Sequence, residues 1–369
     1  MRSPEVVQFD DQANLRNLTR DWLALAERLD DTSYFQSPDW VLSWWETIAA
    51  RPHTVAAAWR AACGRLEALV TLSRDRVRLH PRLPIDLPVY TNAGSGAGAA
   101  DHCGWLVPPA RRDEVAVWLV KASGGAGLLL RSAGPDRSEP PLPHGARVVA
   151  TSACPRMSVP LADREVGRSH GFNRQLGRFT RRMERQGVLF EWTPSGAVDE
   201  RLLGALFELH ARARGRHSLA SSFGVEQLAL HRRLVERSGL RRGPTAIVAR
   251  CDGAPVGVLY GFVWKDTFAA YQWGWDASWD RHSMGSVLAY QAIRLAAAHG
   301  VRTFDFLRGA EPYKYRFGAA DAWDRTWLVP HGPGGALLAA RYRARDLLHR
   351  SRTDHAAVRR PRRPAYSRS

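Results

Sequence analysis

The sequence predicts an α/β protein built on mixed sheets, and three observations carry that expectation. The second half alternates helical and strand periodicities in the order helix, strand, two helices, three strands, helix, strand, strand. The chain has 369 residues, 45% of them apolar, enough for two domains at roughly 150 residues each. The run TFDFLRGAEPYKYRFG (303–318) alternates as a strand, breaks at Gly309, and then presents Glu311, Tyr313 and Lys314. Loops at strand ends are where α/β proteins usually place their sites.

In the first half, Leu15, Leu18, Trp22, Leu25 and Leu29 fall on one helical face. FQSPDWVLSWWETI follows, with Ser37 as N-cap and Pro38 at the first helical position. Trp40, Trp44 and Trp45 repeat as a helical face, which favours a core role. TVAAAWR (54–60) and LEALVTL (66–72) read as a hairpin around Cys63 and Gly64. The loop YTNAGSGAGAADHCGWL matches neither GxxxxGK[ST] nor GxGxxG and is expected to be flexible, lining a cleft at most. A short helix at 113–122, a buried strand at 127–130 and a proline-rich connection at 133–145 close this half.

The second half begins near 165. FNRQLGRFTRRMERQG sets Phe172, Leu176, Phe179 and Met183 on one face and Arg174, Arg178, Arg181, Arg182 and Arg185 on the other. That basic face is either solvated or a grip for an acidic acceptor, through Arg178 and Arg182. TAIVARCDGAPVGVLYGFVW turns at Asp252 and Gly253, DTFAAYQWGWD is the next strand, and a helix over 284–299 leads to a strand at 302–307. Domain expectations are residues 1–164, 165–330, and a basic tail at 331–369, partly helical and then disordered.

Net charge is +17, yet ten arginines against two aspartates beyond His331 hold a balance of +8. Nearly half of the excess is thus terminal, which argues against nucleic-acid binding. The tail is either solvated or a tether to an acidic partner or membrane surface. Only three lysines stand against 50 arginines, an imbalance that runs through the whole chain. No apolar run reaches membrane-span length, and no apolar signal core opens the chain, so a cytoplasmic protein is expected. Four scattered cysteines form no CxxC; they read as buried thiols rather than a disulfide frame or a metal site.

FQSPDWVLSWW, RRMERQG, IVARCDGAPVGVLYGF and FDFLRGAEPYKYRFG, in this order, resemble the GNAT acyltransferase superfamily. The closer likeness is to CelD-like acetyltransferase domains of cellulose and polysaccharide biosynthesis, the more distant one to FemABX peptidyltransferases. The resemblance covers roughly 34–330. It implies two tandem GNAT-like domains, the C-terminal one with the better-preserved cofactor site. It also implies acetyl-CoA, or another acyl-CoA, as co-substrate, lying between two splayed parallel strands (269–275 and 303–307), with its pyrophosphate at the start of the following helix.

On that resemblance, Trp273, Gly274, His282, Ser283, Gly285 and Ser286 hold the cofactor. His282 and Ser286 depart from the superfamily pattern of Gln or Arg, two residues, Gly, one residue, Gly or Ala. Acyl transfer to an amine needs a base, an oxyanion donor and a proton or charge for the leaving thiolate. Asp305 or Glu311 is the candidate base, with Asp305 equally a structural partner of Arg308 or Arg316. Tyr313 is the candidate donor to the thiolate, and Lys314 the candidate oxyanion or phosphate contact. Gln272, Trp275 and Arg308 are candidates for the acceptor pocket, while His210 and His217 favour packed or solvated roles. The expected function is N-acyl transfer to an amine of a small molecule, amino sugar or cell-envelope precursor. A tRNA-dependent aminoacyl transferase and an inert GNAT-like scaffold are the alternatives.

Overall fold

A computed structural model describes residues 3–48, 51–80, 82–96, 100–134, 140–160, 165–215 and 225–358. The first half runs β1 (Glu5–Gln8), α1 (Gln12–Arg28), α2 (Pro38–Thr47), β2 (Thr54–Arg60), β3 (Leu66–His80), β4 (Leu83–Asn92), α3 (Arg112–Ala122), β5 (Gly127–Ala133) and β6 (Arg147–Ser158). The second runs α4 (His170–Glu184), β7 (Val188–Thr193), α5 (Glu200–Gly215), α6 (Val225–Glu236), β8 (Gly243–Cys251), β9 (Ala254–Trp264), β10 (Thr267–Trp275), α7 (Met284–Ala298), β11 (Thr303–Asp305), α8 (Pro312–Arg316), β12 (Ala320–Val329) and α9 (Gly332–Val358). Both halves thus share one order from β1 to β5 and from β7 to β11: strand, two helices, three strands, helix, strand.

Local chemistry accounts for several boundaries. The Ser37 side chain accepts from the Trp40 amide and starts α2. Trp40, Trp44 and Trp45 are all buried, as their spacing anticipates. Asp252 and Gly253 take φ of 50° and 79°, the left-handed pair that a two-residue turn between β8 and β9 requires. Ser169 accepts from the Phe172 amide to open α4.

All twelve strands join one mixed sheet, in the order β1-β2-β3-β4-β5-β12-β6-β11-β10-β9-β8-β7. In each half the fourth and fifth strands of the repeat pair in parallel, β4 with β5 and β10 with β11. The next strand of each half crosses over: β6 pairs with β11, β12 with β5, and the two pair with each other in the centre. The sheet is therefore continuous across residue 164, and each half is completed by a strand of the other.

Strands β1, β4 and β6 do not stand out in the sequence. β4 carries two prolines in LPIDLPVYTN, and β6 (RVVATSACPRMS) alternates poorly. The glycine-rich loop departs from expectation in its burial. Ala93, Ser95, Asp101 and His102 are buried, and the Gly94 carbonyl accepts from the Trp40 indole at 2.9 Å. It packs between the halves, and its Cys103, Gly104 and Trp105 line a cavity of about 570 Å³, as a cleft-lining loop would; Gly98 lies outside the described residues. Cys103 and Cys154 are buried, whereas Cys63 is exposed and Cys251 partly so. The C-terminal segment is helical to Val358, and the disorder expected at its end falls on residues outside those described. Among the described residues no helix is long and apolar enough to cross a membrane.

Candidate active site

The site is made by two parallel strands that part. β10 pairs with β11 only over Thr267–Ala269 and Thr303–Asp305. Beyond that point β10 runs on to Trp275, bonded to β9 alone. The register slips between Ala270 and Gln272, so Tyr271 is the extra residue of a bulge, which bends the strand. On the other side the chain after Asp305 stays with β6: the Phe306 amide donates to the Pro155 carbonyl at 2.9 Å, and the Gly309 amide to that of Ala153 at 2.9 Å. The two backbones therefore separate from Ala270 onward and leave one edge of β10 unpaired by β11.

A cavity of about 310 Å³ opens at this mouth, walled by Trp273 and Trp275, by Ser283, Gly285 and Ser286 at the start of α7, and by Tyr313. Strand alternation puts Trp273 and Trp275 on the cavity side. Gly274 faces the other way: a Cβ there would lie 2.5 Å from the His210 amide nitrogen of α5. Its smallness serves helix–strand packing, while its backbone lies on the stretch of β10 that β11 leaves unpaired. Gln272 shares that α5-facing side by the same alternation. The His210 Nδ1 donates to the Trp273 carbonyl at 3.0 Å; His217 lies outside the described residues. Gly285 is required by Trp275, whose ring carbon would lie 2.9 Å from an added Cβ.

The start of α7 is suited to an anion. Ser283 sits in the left-handed region at φ 55° and makes no side-chain cap, and no acidic residue occupies the first turn. The Ser286 and Val287 amides donate to the Ser283 carbonyl at 2.9 and 3.0 Å, so the amides of Met284 and Gly285 are the ones left at the positive end of the helix dipole. His282 is buried. Burial lowers its pKa, and the charges of Arg182 and Arg281 add to the effect, so the imidazole is neutral. Its Nε2 accepts from Arg281 Nε at 3.2 Å, which leaves the proton on Nδ1. That Nδ1 has no hydrogen-bond partner among the described residues. A buried donor without an acceptor is costly unless a ligand supplies one. Arg182, expected on the acceptor side, therefore stands electrostatically beside this turn. Arg178 is exposed and lies 5.6 Å from the Phe179 ring.

The run 303–318 divides into a reactive part and a structural part. Tyr313 is half-buried, and its ring meets that of Trp273 edge-on at 5.8 Å. Burial, with help from the Glu311 carboxylate, raises its pKa, so it remains a phenol and a proton donor. Glu311 is exposed, and its Oε2 lies 2.9 Å from Lys314 Nζ. Lys314 is itself buried, and its Nζ also donates to the carbonyls of Leu307 (3.2 Å), Arg308 (3.0 Å) and Gly309 (2.9 Å). All three ammonium protons are spent on the loop, so Lys314 is a clamp rather than an oxyanion donor.

Asp305 is also withdrawn. It is 2% exposed; one oxygen accepts the Leu307 amide at 2.8 Å and the other lies 3.0 Å from His102 Nε2. Its partner is neither Arg308 nor Arg316, and it has no route to a substrate amine. Arg308 is held by Asp101 through Nε (2.8 Å), through its backbone amide (2.9 Å) and through a second guanidinium contact, so it is not free to grip an acceptor. The residues that sequence reasoning missed are Asp101, His102 and Asp324. The His102 Nδ1 lies 2.7 Å from Asp324, and its amide donates to the same carboxylate at 2.6 Å. Burial opposes its charge, but Asp305 and Asp324 outweigh burial and hold the imidazole well above its usual pKa. Its φ of 52° and its place in a loop without periodicity gave no signal. Cys154 completes a buried group with His102 and Asp324, ligand atoms within 4.8 Å of one another, but both imidazole nitrogens are already engaged by carboxylates.

Residues 170–315 match the family model of an acetyltransferase (GNAT) domain. That span holds the parting strands, the α7 turn and Tyr313. The fold is also that of FemX, at 10% identity and a TM-score of 0.61, covering 83% of this chain and 95% of that one. The C-terminal domain of a putative lysylphosphatidylglycerol synthetase from Agrobacterium fabrum matches at 13% identity and TM-score 0.54, covering 88% and 96%. L-PGS from Bacillus licheniformis matches at 11% and 0.53, covering 90% and 96%. At these identities the likeness is one of fold. No curated protein sequence matches the chain significantly.

Proposed function

We propose that this protein transfers an acyl group from acyl-CoA, with acetyl-CoA as the expected donor, to an amine. The observation that carries this reading is the divergence of β10 from β11 with a cavity at its mouth and an uncapped helix start behind it. The residues present fit such a donor. The unpaired edge of β10 offers backbone groups to a pantetheine amide. The α7 amides, His282 Nδ1, Arg281 and Arg182 suit its phosphates. Trp273 and Trp275 cover the arm from water.

In this scheme the amine nitrogen attacks the thioester carbonyl directly, positioned by the cleft. A C–N bond forms, the C–S bond breaks, and the Tyr313 phenol donates its proton to the departing thiolate. Glu311, exposed, two residues away and paired with Lys314, is the carboxylate we assign as the base that takes the proton from the amine. The acceptor we assign from the sequence resemblance is an amino sugar, a small amine or a cell-envelope precursor of polysaccharide biosynthesis; a cytoplasmic location goes with it. Thermal unfolding with and without acetyl-CoA tests the reading. Binding to the folded state raises the midpoint. No shift with any acyl-CoA, together with a shift on addition of aminoacyl-tRNA, replaces the donor by the tRNA-linked alternative.

A further inference from the structure

Helix α4 carries a second feature that the donor cleft does not use. Arg174, Arg178, Arg181, Arg182 and Arg185 are all exposed, while Phe172, Leu176, Thr180 and Met183 form the buried side. None of these arginines forms an ion pair with a described residue; at the start of the helix His170 Nδ1 lies against the Glu165 carboxylate. Elsewhere arginines such as Arg111, Arg237 and Arg242 are matched with carboxylates. Steps of four, three and four residues put Arg174, Arg178, Arg181 and Arg185 in one line, a stripe of roughly 16 Å at 1.5 Å per residue.

The opposite, buried face of α4 packs against the elements that form the cleft. Thr180 Oγ1 accepts from Gln291 of α7 at 3.3 Å, and Phe172 meets Phe317 edge-on at 5.2 Å. Arg182 reaches the α7 turn electrostatically, but Arg174 sits about 12 Å away from it along the helix. The phosphates of one nucleotide at the turn leave most of the stripe unmatched.

We propose that α4 docks an acidic helix of a carrier protein, which presents the acyl thioester on a phosphopantetheine arm entering the same cleft. The proposal rests on the donor cleft assigned above and narrows its substrate class. The single-file spacing suits carboxylates at the same steps on an opposing helix, and unpaired charges on a helix packed against the cleft-forming elements speed encounter with an acidic partner. Among the fully exposed residues of α4 there is no Phe, Tyr or Trp on which a base would stack and no large apolar side chain to enter a bilayer, Phe179 being half-buried beside Arg178. In the transfer, the C–N bond forms as the carrier's C–S bond breaks, and the thiol of the arm keeps the proton supplied by Tyr313.

Calorimetric titration of the full chain with a holo acyl carrier protein, with acetyl-CoA and with a short RNA duplex tests this. The carrier is expected to bind the wild type and to bind R174E/R181E/R185E at least about tenfold more weakly. The glutamine triple, R174Q/R181Q/R185Q, is expected between the two. Acetyl-CoA affinity should stay within about twofold in every variant, which also reports that they are folded. Acetyl-CoA binding without carrier binding, or equal carrier binding by wild type and charge-reversed variant, overturns this proposal alone. Failure of both acetyl-CoA and carrier to bind the wild type overturns the donor cleft as well. An RNA duplex that binds more tightly than the carrier, and loses affinity in the glutamate triple, overturns it in favour of a nucleic-acid partner.

Discussion

Tyr313 and Lys314 are neighbours in sequence with opposite tasks. Tyr313 faces the cavity as a phenol kept protonated by burial and by Glu311; Lys314 turns inward and holds three loop carbonyls. Tyr313→Phe is expected to lower kcat for acyl transfer about 100-fold, the usual scale of a lost general acid, with donor affinity unchanged in steady-state assays. Lys314→Ala is expected to act mainly through stability, since it leaves buried carbonyls without a donor, and this is read in denaturant unfolding. A wild-type unfolding free energy in Lys314→Ala would contradict the clamp. Both residues were visible in the sequence as part of one reactive-looking run. Their division was not, because which way a side chain turns from a five-residue helix depends on the loop it packs against. Asp305 was legible as a carboxylate at a strand end, but its partner, His102, lies 203 residues earlier, beyond the reach of any local pattern.

Among the elements, β10 shows how one strand serves two faces. Gly274 lets α5 approach, and the tryptophans on either side of it wall the cavity. Gly274→Ala is expected to cost about 1–3 kcal/mol through overpacking, read in denaturant unfolding, because the obstruction is the α5 backbone and cannot rotate away. Periodicity revealed β8, β9, β10 and α7, since each has one clear apolar face or a diagnostic turn. It hid β4 and β6, whose prolines and polar residues follow from pairing in an interrupted ladder or against a strand from the other half. The bulge at Tyr271, which begins the parting of the strands, has no signature of its own.

Across the whole molecule, the crossing of β6 and β12 makes one sheet from two repeats, and His102 bridges the halves between Asp305 and Asp324. Removing it leaves two buried carboxylates without their counter-charge, so His102→Ala is expected to cost about 3–5 kcal/mol. The sign of the pH dependence follows from its raised pKa. The stabilisation is fully present below the pKa of the unfolded histidine, near 6.5, and is lost as pH rises through the higher value of the folded state. Unfolding free energies of wild type and His102→Ala should therefore converge toward alkaline pH; a constant gap would contradict the charged bridge. The tandem arrangement was readable only through resemblance, because the first half lacks the motif text of the second, and the exchange of strands was not readable at all.

The central claim is that a thioester donor enters the gap between β10 and β11. Calorimetric titration of wild type and Ser286→Trp with acetyl-CoA tests it most directly, since Ser286 already carries a Cβ and lines the cavity that the larger ring would fill. One site in the wild type and none in the folded variant is the expected result. Undiminished binding in Ser286→Trp would place the donor elsewhere and contradict the account.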